Sequence, residues 1–417
     1  MKWFLIFLGL LVSVYLPAQQ SGSLDWDIDT IFDEPPASSE ETDTNMVEYS
    51  VKKLIKKPGY SFGATYGFTI GLSNGWYEAP WYSNWHKDYY YLDRGIKLYG
   101  SFSIDAQLTE IFRAISTISF EVPDYNLALG DFFFDYNFYD RVFFRGGKYN
   151  LSWGISPYFN FTNILARVPK EGFSGDSYIF KADIPIGIGG AQVLILTRAD
   201  LMHGVKPQID DFGIGGKYNL ALRWADFDLG VYYKDNMPLR GFLSIKTTIG
   251  KAELYNEWLV VYDLKESSKP SGAVNLGFAS DLFGNRLSLA GEVFYNAEGN
   301  AYWYRPGTSL QKPDISPFIE GFNIAFNMAW RPWDKGNPRF FVQALYLPEQ
   351  NSARLIPGFR LTPLPNLDIN FTVPMALGKK TGYYYSHTVS VDDKGKPLPF
   401  AIALLVTLKG NIQAGHY

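Results

Sequence analysis

The tightest constraint this chain places on its own fold is a strict alternation of two kinds of face along short runs. In residues 321–330, Phe322, Ile324, Phe326, Met328 and Trp330 point one way, while Gly321, Asn323, Ala325, Asn327 and Ala329 point the other. Side chains alternate between faces only in a β-strand, so the run predicts a two-faced strand and not an amphipathic helix. Residues 366–373 repeat the division, with Leu367, Ile369, Phe371 and Val373 against Asn366, Asp368, Asn370 and Thr372. Residues 61–72 do so again, with Phe62, Ala64, Tyr66, Phe68, Ile70 and Leu72 opposite Ser, Gly and Thr. Runs of about ten residues with this character predict a transmembrane β-barrel.

Composition separates this reading from a soluble β-sandwich, whose strands also alternate. A soluble sheet must show water a charged face, yet charged residues are 19% of this chain, against about 25% in ordinary globular domains. The second face is instead Gly, Asn, Ser, Thr, Ala and Tyr, which suits a wet lumen. Aromatics reach 17%. Trp76, Trp81, Trp153, Trp224, Tyr233, Trp330 and Tyr346 stand near run ends, where amphipathic rings would form girdles in the headgroup layer.

Three segments are expected. Residues 1–18 read as a secretory signal peptide: Lys2, an apolar stretch, then Pro17-Ala18 as a cleavage point. Residues 19–46 hold eight acids and no Lys or Arg, the composition of a disordered, acidic periplasmic extension. Taking those acids and Lys2 out of the formal charge of −4 leaves residues 47–417, the barrel itself, at +3. Lys52, Lys53, Lys56 and Lys57 follow the acidic tail at once, as a solvated charge run at the membrane edge or a place for that tail to dock. There is no cysteine, hence neither a disulfide framework nor a lipidated cysteine.

The fold class expected is all-β: a single antiparallel transmembrane β-barrel of about 16–18 strands, with short periplasmic turns, long extracellular loops and both termini periplasmic. Tight connections at 225–226, 250–251, 283–285 and 363–365 alternate with longer ones at 73–90, 155–176, 199–211, 297–317 and 376–399. If apolar residues face lipid, then Lys97, Lys148, Lys181, Lys217, Arg223, Asp228, Lys234, Lys246, Glu292 and Asp368 face inward and line the pore. Placing a Lys or Arg on the lipid face at mid-membrane costs about 2–4 kcal/mol, which decides the orientation. Bases outnumber acids in that set, so a weak preference for small anions is expected.

With its architecture and the segment Arg145-Gly-Gly-Lys-Tyr-Asn-Leu-Ser-Trp-Gly154 followed by Asn160-Phe-Thr-Asn-Ile-Leu165, the chain resembles the porin-like outer-membrane β-barrel proteins of diderm bacteria. The resemblance implies that the loop at 155–176 folds inward and narrows the pore, with Asn160, Asn163 and Arg167 as its polar groups. It also implies outer-membrane lipid, the barrel-assembly machinery and small solutes as partners. The terminal Tyr417 is similar to the assembly signal of such barrels. A homo-oligomer is left open.

Catalysis finds little support. His86, His203, His387 and His416 have no metal-ligand spacing, Asp200 and His203 are ordinary loop polars, and neighbours Ser386 and His387 cannot face one another on a strand. The glycines at 187–190 and 213–216 open no helix and read as strand packing. No enzyme activity, metal, cofactor or nucleic acid is expected. The function expected is a passive channel for small polar solutes. The alternatives are a hydrophobic-solute, fatty-acid-type transporter and a closed barrel that binds ligands at its surface. Trp76, Trp81 and Trp85 would supply an aromatic binding loop in either alternative.

Overall fold

The computed structural model describes residues 58–78, 90–123, 126–149, 151, 153–159, 178–197, 206–235, 237–264, 270–297, 320–334, 337–386 and 396–416. The acidic extension and the signal segment lie outside these, as do Asn160, Asn163, Arg167, Trp81, Trp85, Asp200, His86, His203 and His387. The strands are β1 (Gly59–Trp76), β2 (Tyr90–Thr109), β3 (Phe112–Val122), β4 (Asn126–Phe138), β5 (Val142–Lys148), β6 (Tyr178–Ile186) and β7 (Gly189–Thr197). They continue as β8 (Phe212–Ala221), β9 (Asp226–Lys234), β10 (Leu239–Ile249), β11 (Ala252–Tyr262), β12 (Ser271–Leu282) and β13 (Leu287–Asn296). The last are β14 (Gly321–Trp330), β15 (Arg339–Leu347), β16 (Ser352–Leu364), β17 (Leu367–Thr372), β18 (Met375–Gly378) and β19 (Phe400–His416). A short helix, α1 (Tyr383–Ser386), precedes β19.

Except for β17 and β18, each strand pairs antiparallel with its sequence neighbours, and β1 pairs with β19 from Tyr60↔His416 to Trp76↔Phe400, which closes the sheet. β17 and β18 form one wall position, since both lie between β16 and β19. The break falls at Val373-Pro374, where proline has no N–H to give the ladder. Single bonds carry the pairing past it: Val373 N–H to Pro357 O at 2.9 Å and Ala401 N–H to Pro374 O at 2.9 Å. The barrel therefore has eighteen strands.

The two faces fall as the alternation requires. On β14, Phe322, Phe326 and Trp330 are exposed outward, while Asn323, Ala325 and Ala329 are buried inside. Exposed Leu229, Val231, Phe102 and Leu276 continue the outer apolar surface on other strands. Aromatic rings lock the wall by lying over glycines of the neighbouring strand: Tyr99 over Gly67, Phe242 over Gly230, Tyr255 over Gly277 and Phe341 over Gly358. A Cβ at any of these glycines would overlap the ring, so each pair fixes the local register. Among the described residues no helix is long and apolar enough to cross a membrane, a test that does not bear on strands.

The rims differ, although less uniformly than the sequence predicts. Two-residue turns at 110–111, 187–188, 250–251 and 365–366 occupy one rim, whereas 77–89, 149–177 and 297–320 separate strands on the other. Yet β3–β4, β9–β10 and β15–β16 are also joined closely on that second rim. The 73–90 connection is shorter than expected because β1 runs to Trp76 and β2 begins at Tyr90. The stretch 376–399 holds the end of β18 and α1. In the turn between β10 and β11, Gly250 has φ +64, a left-handed conformation open to glycine.

Candidate functional site: the lumen and its inward segment

Strand register brings a belt of opposite charges together on the inner wall. Arg113 faces Asp135 across β3–β4, Asp135 faces Arg145 across β4–β5, and Arg145 faces Lys181 across β5–β6. Farther round, Gln192 lies between Asp183 and Lys217. Arg145 binds Asp135 through two parallel bonds, Nε–Oδ1 at 2.6 Å and Nη2–Oδ2 at 3.0 Å. Arg113 holds Asp105 in the same way, at 2.8 and 2.5 Å. Lysines complete the belt: Lys181–Asp183 at 2.8 Å, Lys217–Asp228 at 3.1 Å and Lys246–Glu253 at 3.0 Å. Most of these groups surround a cavity of about 680 Å³, together with Gln192, Asn219, Ser244 and the apolar Ile111, Phe143 and Ile155. Pairs this accessible to water add at most about 1 kcal/mol each to stability. Their main effect is to cancel one another's field along the wall.

Ile155, which borders the cavity, belongs to a chain segment that leaves the wall after β5. Gly147 has φ +140 and sits so close to Phe132 O and Phe133 that a Cβ would collide. The chain then turns inward, and Trp153 is buried with its indole N–H donating to Gln192 Oε1 at 2.7 Å. Two buried glutamates hold the residues after it. Ile155 N–H donates to Glu257 Oε1 at 2.9 Å, and the Ser156 hydroxyl donates to Glu257 Oε2. Tyr158 N–H and Phe159 N–H donate to the two oxygens of Glu292, at 3.0 and 2.9 Å.

Both carboxylates are further satisfied from the wall, as buried charges must be. Glu292 accepts from Tyr255 Oη at 2.9 Å and Asn275 Nδ2 at 3.0 Å; Glu257 accepts from Ser244 Oγ at 3.0 Å. Apolar contacts complete the seat, with Phe159 stacked on Phe294 at 5.2 Å and Trp153 tilted against Phe242 at 5.6 Å. Burial pushes the phenols of Tyr149 and Tyr158 well above their ordinary range, so both stay neutral. Residues 153–159 thus form a shelf along the wall from β7 to β13. They make no free strand across the axis.

Of the residues expected to line a pore, Lys181, Lys217, Asp228 and Lys246 border the cavity. Lys97 points inward and pairs with Glu121 at 2.7 Å. Asp368 is largely buried between Arg360, at 3.2 Å, and Lys409, at 3.0 Å. Four expectations need correction. Lys148 is buried in the wall, its ammonium on the carbonyl of Leu129, because the kink at Gly147 turns it away from water. Arg223 lies exposed in the turn between β8 and β9. Lys234 faces inward but is buried at the end of β9. Glu292 carries the shelf and does not line a wet surface.

Trp76 ends β1, with its ring 5.1 Å from that of Phe400; it belongs to the wall and not to a loop. The lumenal bases are largely offset, because Asp105, Glu121, Asp135, Asp183 and Glu253 each pair with a base. Among the described residues no three His, Asp or Glu come together as metal ligands.

No family model matches the chain, nor does any curated protein. Solved structures do match in fold. One is Pseudomonas aeruginosa OccK3 (OpdO), with a TM-score of 0.54 at 9% identity, covering 84% of this chain and 96% of that one. Another is Pseudomonas aeruginosa OpdQ, at 0.52 and 8% identity, covering 85% and 99%. The outer membrane protein opdK from Pseudomonas aeruginosa matches at 0.51 and 9% identity, covering 84% and 99%.

Proposed function

We propose that this chain is an outer-membrane channel of the porin kind, passing small polar solutes down their gradients without cofactor or catalytic step. The observation that carries the reading is the charge-lined cavity of about 680 Å³ inside a closed barrel whose outer face is apolar. A barrel of this strand number encloses water, and its solute limit is set by whatever narrows the lumen. Here that is the shelf at 153–159. The likeness to the outer membrane protein opdK supports the same location. Residues 1–18 are then the export signal, and 19–46 a periplasmic extension of the barrel body.

The fatty-acid-type alternative calls for a greasy chamber; apolar Phe143, Ile155, Ile184 and Phe227 do border the cavity, but five bases and four acids stand among them. The polar reading is favoured. Purified protein added to a planar bilayer should give stepwise conductance, and liposomes containing it should swell in small sugars and amino acids. A chain that assembles heat-resistant barrels yet gives neither response is not a channel.

A further inference from the structure

We infer that the solute path runs off the barrel axis, against the wall formed by β19, β1 and β2, with Thr65, Ser101 and Ser103 in its lining. The inference rests on the channel reading and adds where in the lumen the solute passes. In a closed ring of eighteen strands, β10 stands nine positions from β1 in either direction. The wall that carries the shelf supplies Ser244 on β10, Glu257 on β11, Asn275 on β12 and Glu292 on β13. It faces β1 to β4.

Exposure of inward-facing residues divides the lumen the same way. On the shelf side and beyond it, Asn275, Asn323, Ala325, Phe341 and Leu345 are 0–3% exposed. That half is filled with protein. On the opposite wall, inward Thr65, Asn411 and Gln413 are exposed, and Ser101 and Ser103 are half-buried. A path along β12, β14 and β15 would have to wet residues that are fully packed.

The chemistry of the open wall suits passage. Thr65 Oγ1 and Ser101 Oγ bond each other at 2.7 Å across β1–β2, and Thr69 Oγ1 and Thr407 Oγ1 do so at 3.1 Å across β1–β19. Paired hydroxyls stay close to the backbone, protrude little and still offer lone pairs to a passing solute. Satisfied ion pairs flank them, Arg113–Asp105 on one side and Arg360–Asp368–Lys409 on the other. The lining fits neutral or dipolar solutes better than fixed ions.

The chain has no cysteine, so single replacements report cleanly. Thr65→Cys, Ser103→Cys and Ala325→Cys would each be opened in a planar bilayer and treated with a charged methanethiosulfonate reagent. Reaction at Thr65→Cys or Ser103→Cys should remove half or more of the single-channel current, while Ala325→Cys should show no change. A current that falls for Ala325→Cys, or stays constant after mass spectrometry shows Thr65→Cys fully modified, overturns the off-axis path. If the unsubstituted chain carries no current at all, the channel reading itself fails and takes the path with it.

Discussion

Glu292 accepts hydrogen bonds from two shelf amides, a wall hydroxyl and a wall amide while almost wholly removed from water. Truncation to alanine strands those four donors, each at a cost of about 1–3 kcal/mol unless water enters to replace the carboxylate. Because the shelf is a satellite of the wall, the loss should loosen it without opening the barrel. Glu292→Ala should therefore assemble as a heat-resistant barrel but give a larger and noisier single-channel current; an unchanged trace would show that the shelf needs no such anchor. Phe326 makes the contrasting case, being exposed on the outer face midway along β14. Phe326→Arg places a charge in lipid at about 2–4 kcal/mol, so a gel-mobility assay should find it unassembled while Phe326→Leu assembles normally. Equal assembly of the two would mean that this face meets water.

The elements were largely legible in the sequence, because a period of two is visible wherever one face is apolar and the other small. The stretches at 321–330 and 366–373 appear as β14 and β17. The carboxylate anchors were not legible. Glu257 and Glu292 occupy ordinary inward positions, and their partners lie 102 and 134 residues away. Nothing local marks a wall glutamate that carries a loop. Arg113, Asp135, Arg145 and Asp183 escaped for a related reason, since only cross-strand register makes them a belt. The shelf was expected only through the resemblance, as an inward loop at 155–176; the described part begins earlier, since β5 ends at Lys148 and the chain turns inward before Trp153. Replacing residues 153–159 by a Gly-Ser linker of equal length should leave the barrel assembled and raise conductance. An unaltered conductance would place the narrowing elsewhere.

At the scale of the whole molecule, paired lumenal charges decide how the channel treats ions. Each belt cation sits against an acid, so the lumen has little net field and reversal potentials in a salt gradient should lie near zero. Neutralising one side of the belt breaks the balance: Asp105→Asn with Asp135→Asn removes the carboxylates that bind Arg113 and Arg145. The double variant should shift the reversal potential toward chloride at 0.1 M salt, and the shift should fade at 1 M as screening shortens from about 10 to about 3 Å. A variant that stays unselective at low salt would mean that permeating ions never approach the belt.

Apart from the break at β17 and β18, every ladder in the wall joins neighbours in sequence but one; that one is the union of β1 and β19, which runs from Tyr60↔His416 to Trp76↔Phe400. That union sets the order of events in assembly. Successive hairpins can add one at a time, each on a template already made, but the ring has no complete circumference until the final strand arrives. Until then the sheet carries two bare edges, 18 and 17 residues long, each fringed with unpaired amides and backed by an apolar face. Such edges recruit other chains. The longest exposure to misassociation therefore belongs to the moment just before closure, and whatever escorts this chain to its membrane must shield its first strand until its last one is in place.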